Sequence, residues 1–142
     1  MKKIIPVFLA ILTGSVFALL LFNSKNVLAT KPKDDANAIA IQIGVFKKKE
    51  NAISMSKNYG GSVIEDNGVF RVYYSVLSMN ENINYITNYL DKKGINYYLK
   101  KINLSEDITK ELEKYEKLMA DTSENSKMNV NNEILKYYME VI

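Results

Sequence analysis

Nineteen consecutive residues, Ile4–Phe22, carry no charge, and this run sets the first limit on what the chain can fold into. Its polar breaks are Thr13, Gly14 and Ser15. At about 1.5 Å rise per residue the run makes roughly 28 Å of helix, close to the hydrocarbon thickness of a bilayer. Pro6 falls in the first turn, where its missing N–H costs little. A buried core helix of a soluble domain rarely stays apolar on every face for this long. The pattern predicts a spanning helix or uncleaved signal anchor over residues 1–22. A cleaved signal peptide is the rival reading, with Lys2 and Lys3 as its n-region and small residues at Val27-Leu28-Ala29. The run is longer than the roughly 7–15 residues of an ordinary signal-peptide core, which favours the anchor. Charge does not set the orientation, because Lys2 and Lys3 stand against Lys25, Lys31 and Lys33.

Residues 23–37 are polar and contain Lys31-Pro32-Lys33-Asp34-Asp35, a flexible tether. The chain beyond the tether is long enough for one small domain and an appendage. There is no Cys and no His. That removes disulfides, thiolate nucleophiles and Cys-based zinc sites, together with the commonest general base and metal ligand. Glu65-Asp66 is the acidic cluster of the strand region, and it precedes the turn signal Asn67-Gly68, so it reads as a solvated hairpin end. Neither a Gly-rich phosphate loop nor a Ser-centred elbow is present. The expectation is a non-enzyme with no cofactor and no metal.

The pattern from Ala38 onward is mixed. Ile39, Ile41, Ile43 and Val45 alternate with Ala40, Gln42, Gly44 and Phe46, which predicts a half-buried strand. Asn51–Tyr59 reads as a short helix closed by Gly60-Gly61. Ser62–Asp66 and Val69–Val76 flank Asn67-Gly68, a hairpin signal. Ser78 and Glu81 have capping-box spacing ahead of Ile83, Ile86 and Leu90, with Gly94 as the stop. Ile95–Ile102 is a final strand. The order β-α-β-β-α-β over residues 38–104 is the ferredoxin-like arrangement, α+β, with both helices on one sheet face and the other face free.

Gln42-Ile43-Gly44-Val45-Phe46, then Glu50-Asn51-Ala52, resembles the opening Q-x-G-x-F of SPOR domains, and Phe70-Arg71-Val72 resembles their aromatic-R-V signature. The match covers about Ile39–Ile102. The resemblance implies a domain that binds peptidoglycan, favouring glycan strands stripped of stem peptides at the division or sporulation septum. It also implies a single-pass cell-membrane protein with its C-terminal domain extracytoplasmic. Carried onto this chain, the binding residues are Gln42, Arg71, Tyr73, Val69 and Leu99, on the helix-free face. A glycan without charged peptides offers hydroxyls, acetamides and apolar ring faces. These suit an amide, a planar guanidinium and an aromatic ring. Gln42 also reads as an ordinary polar residue on a wet face, and Arg71 as the partner of Glu65 across the hairpin. The chain departs from the family at Tyr73-Tyr74-Ser75-Val76-Leu77, where V-x-V-G-P-F is usual, at Val69, which is often aromatic, and at Val45, which is often polar. These departures motivate the alternative, a membrane-tethered protein-interaction module that has lost glycan binding.

Ser105 opens a C-terminal helical extension over residues 105–142. Ile108, Leu112, Tyr115 and Met119 form one stripe, with i,i+4 pairs at Glu106–Lys110 and Glu113–Lys117. Asp121–Ser126 breaks it, and Asn131–Ile142 reads as a second helix with Ile134, Leu135, Tyr138 and Met139 inward. The two helices pack on each other or on the domain, or else their stripe takes a protein partner. Residues 38–104 carry nine Lys/Arg against five Asp/Glu, and residues 105–142 carry five against nine. A basic domain behind a membrane segment, without a nucleic-acid motif, does not point to nucleic acid.

Overall fold

Asn67 and Gly68 both take positive φ, 52° and 77°. This is the turn whose twist matches a two-residue hairpin, and it joins β2 (Ser62–Asp66) to β3 (Val69–Leu77). The computed structural model describes residues 36–141. The expected membrane span and most of the 23–37 tether lie outside the described residues. Among the described residues, no helix is long and apolar enough to cross a membrane.

Strands β1 (Ala38–Phe46) and β4 (Tyr98–Ile102) complete an antiparallel sheet in the order β2-β3-β1-β4. Helix α1 (Lys49–Tyr59) joins β1 to β2, and α2 (Asn80–Lys92) joins β3 to β4. Helices α3 (Glu106–Asp121) and α4 (Glu124–Val141) complete the chain order. The class is α+β: a four-stranded antiparallel sheet with four helices among the described residues.

The expected alternation along β1 is interrupted by two compensating bulges. Up to Ile41 the strand pairs regularly with β3, Ile41 opposite Ser75. Gln42 then faces Tyr73, leaving Tyr74 without a ladder partner, and Gly44 faces Val72, leaving Ile43 unpaired with β3. Each extra residue flips the parity of its own strand. Gly44 and Phe46 therefore turn to the side of Ile39 and Ile41, while Val45 joins Gln42, Arg71 and Tyr73. The expectation that Val45 shares the Ile41 face is corrected by this bulge. Gly44 is required by close approach, because a Cβ there would sit 2.6 Å from the Phe46 ring and 2.7 Å from Met55 Sδ.

One helix signal resolves differently from expectation. Ser78 and Glu81 form no capping box: α2 begins after Met79, which makes no side-chain cap bond. The vacant donors are taken by Glu116 of α3, fully buried, which accepts from the backbone N–H of Ser78 at 2.9 Å and Met79 at 2.8 Å, and from Ser78 Oγ. At the other end Gly94, at φ 66°, lets Ile95 N–H reach the Leu90 carbonyl and Gly94 N–H the Asp91 carbonyl. This wound end consumes residues before Tyr98, so β4 is shorter than Ile95–Ile102.

The α3 stripe packs as expected, with Leu112 and Met119 buried. Glu106–Lys110 pairs at 2.6 Å, whereas Lys114 chooses Glu111 and no Glu113–Lys117 bridge forms. Helix α4 starts at Glu124, earlier than Asn131, and buries Ile134 and Leu135. It packs on α3, β3 and β2. Buried Asn131 donates to the unpartnered Tyr74 carbonyl at 3.1 Å and accepts from Ser75 Oγ at 2.5 Å. On the Gln42 face Tyr73 is buried, so that face is not free along its length.

Candidate functional site

The β1–β3 register brings Gln42 and Arg71 onto one face, and Arg71 Nη1 donates to Gln42 Oε1 at 3.2 Å. The other arm of the guanidinium is fixed by Asp66, whose Oδ2 accepts from Arg71 Nε at 2.8 Å. Sheet parity explains the choice of acid. Arg71 lies opposite Ile64, and Asp66 is two residues further along on the same face. Glu65 lies opposite Phe70 on the other face and forms no bridge to Arg71. Asp66 itself is braced by Asn67 Nδ2 at 2.8 Å. The fork is thus held at two points, with the rest of its donors turned to a partly open surface. Gln42, having spent Oε1 on Arg71, retains its amide Nε2 as a donor.

The other three expected residues do not assemble equally. Val69 is half-buried opposite Asp66, beside the Arg71 fork. Tyr73 shares the Gln42 face but is only 5% exposed. Its hydroxyl takes Lys100 Nζ at 3.3 Å, with the ammonium 5.9 Å from the ring centroid. Tyr138 of α4 sits close enough that burial first, and the Tyr73 phenol second, push its own phenol up. A sugar ring has no access to stack on Tyr73 here. Leu99 pairs with Ile41, so it stands on the opposite face from Gln42, 40% exposed. The residue across from Gln42 on β4 is Tyr98, 64% exposed. Tyr98 and Val45, the latter 46% exposed, are the apolar surfaces beside the Gln42–Arg71 pair. Sequence reading missed both. The Q-x-G spacing around a bulge is the signal that could have found Val45.

The strip therefore runs from Val69 and Arg71 across Val45 to Tyr98, over Gln42, which is itself only 8% exposed. It offers guanidinium and amide donors between patches of apolar surface. Among the described residues no group of acidic side chains is arranged to hold a metal ion. Neither a protein-family model nor a curated protein matches the chain. Among solved structures, the chain is similar to the peptidoglycan binding domain of the B. subtilis cell wall lytic enzyme CwlC, a solution structure. The two are 22% identical with a TM-score of 0.41, over 51% of this chain and 99% of that one.

Proposed function

We propose that this chain is a non-catalytic, single-pass envelope protein whose SPOR-like, ferredoxin-like domain binds peptidoglycan glycan strands. In this reading Ile4–Phe22 anchors the chain in the cell membrane and the domain lies outside the cytoplasm. Preference for denuded strands concentrates it at the division or sporulation septum. The observation that carries the reading is the Arg71–Gln42 hydrogen bond: the two polar residues of the resembling motifs, 29 positions apart, meet on one sheet face. A preset fork and amide suit neutral hydroxyl and acetamide acceptors, and Val45 and Tyr98 suit the apolar faces of sugar rings.

Co-sedimentation of residues 34–142, one compact unit, with sacculi tests this before and after an amidase strips the stem peptides. Retention that rises after stripping and is lost in Gln42→Ala/Arg71→Ala, with melting unchanged, is the expected result. No retention on either preparation rejects it. The alternative, an interaction module that has lost glycan binding, draws on the burial of Tyr73 beneath α4. It gains ground if the stripped sacculi retain nothing.

A further inference from the structure

We propose that the lysine-rich rim at the C-terminal end of β1 binds a linear polyanion, a flexible chain of phosphodiester groups. Lys47, Lys48 and Lys49 come directly after Phe46 and are exposed. Among the described residues no ion pair engages them. They follow in sequence directly on Ile43–Phe46, which with Met55, Tyr59 and the Lys93–Asn96 turn lines one open groove of about 390 Å³. Lys92 adds a further exposed charge on the same turn.

The placement is electrostatically costly to the protein itself. Lys49 opens α1, and its N-cap, Lys48, supplies no side-chain acceptor. Three cations thus crowd the positive end of a helix dipole, where acids are the stabilising choice, and Glu50 is the single acid of that first turn. An external anion relieves that repulsion. Lysine ammoniums act as point charges that accept phosphate oxygens from many directions, unlike the bidentate fork of arginine. A concave groove lined by Phe46, Met55 and Tyr59 fits a chain with carbon spacers between its charges better than a flat lipid surface. The excess of basic residues in 38–104 and of acidic residues in 105–142 favours approach of such a ligand to the sheet domain over the C-terminal helices. None of these points depends on glycan binding.

The test is fluorescence anisotropy of labelled poly(glycerol phosphate) with the full chain in neutral detergent. Saturable binding is expected, weakening at least about tenfold as salt rises from about 50 to about 200 mM. The variant Lys47→Gln/Lys48→Gln/Lys49→Gln/Lys93→Gln changes only exposed side chains. It is expected to lose at least about tenfold in affinity, with unchanged melting and unchanged retention on polymer-stripped sacculi. Equal affinity in that variant overturns the proposal. Binding to phosphatidylglycerol vesicles without binding to the polymer overturns it in favour of a membrane surface. Tighter binding to single-stranded DNA of equal charge overturns it in favour of nucleic acid. Loss of sacculus retention in the unmodified chain would remove the glycan reading and leave this one standing.

Discussion

Glu116 caps a helix to which it does not belong: its carboxylate accepts the Ser78 backbone N–H at 2.9 Å, 38 positions away in sequence. Asn82, in the first turn of α2, also donates to the Glu116 backbone carbonyl at 3.0 Å. The C-terminal extension and the α2 end of the sheet domain are therefore one piece of structure. Replacing Glu116 by Gln swaps one acceptor oxygen for an amide that points donors at donors. The expected loss is about 1–3 kcal/mol, the cost of leaving buried polar groups unpaired, read as a lower midpoint in urea unfolding. Unchanged stability would mean the Ser78 and Met79 donors find other acceptors.

Gly44→Ala places a methyl 2.6 Å from the Phe46 ring and 2.7 Å from Met55 Sδ. Overpacking of this kind costs about 1–3 kcal/mol. Methionine is the more pliable neighbour, so Gly44→Ala/Met55→Ala is expected to cost less than the sum of its parts. Thermal melts of the two singles and the double check this, and strict additivity would count against the contact.

Tyr73→Phe separates the two roles available to Tyr73. Its ring is buried and its hydroxyl is engaged by Lys100. Loss of that hydroxyl is expected to lower stability by about 1 kcal/mol. Sacculus retention is expected to stay within about twofold of the parent, whereas Arg71→Ala abolishes it. A large drop in retention for Tyr73→Phe would return this residue to the binding surface.

Stability should fall in strong alkali. Burial, with the Tyr89 and Tyr85 phenols nearby, raises the Tyr74 phenol to about 12 from its ordinary 10.0. The folded state thus holds its proton after the unfolded chain has lost it. That contribution is complete below about pH 10 and disappears as pH rises toward about 12. Its size is on the order of 1–2 kcal/mol once solvent screening is allowed for. Urea midpoints measured across this range should decline, and the decline should be shallower in Tyr74→Phe. A decline of equal steepness in Tyr74→Phe would assign it to other groups.

Local signals in this sequence were readable wherever the cause was local. Asn67-Gly68 adopts the turn its residues require, Gly94 stops α2, and Ile83, Ile86 and Leu90 are buried at helical spacing. Gln42 and Arg71 were readable as sharing one face from strand parity, but their hydrogen bond to each other was not. The failures share another origin. Two unpaired residues, Ile43 and Tyr74, reverse a period of two that sequence can only extrapolate. That is why Val45 joins the polar pair, whereas Tyr73 shares their face but is buried, and Leu99 pairs with Ile41 on the other face. A cap supplied from 38 residues downstream leaves no mark at spacing three, so Ser78 and Glu81 looked sufficient. Tail helices with apolar stripes also announce burial without naming the surface they bury, which here is β3 and β2.

The two unpaired residues cancel: Ile39 opposite Leu77 and Phe46 opposite Phe70 obey the same register on either side of them. The two strands therefore use equal numbers of residues over the same span, and each reaches its next connection in step with the other. Removing Ile43 or Tyr74 alone would leave the flanking pairs in place but make one strand a residue shorter than its neighbour across that span, and only removal of both gives a straight ladder of matched length.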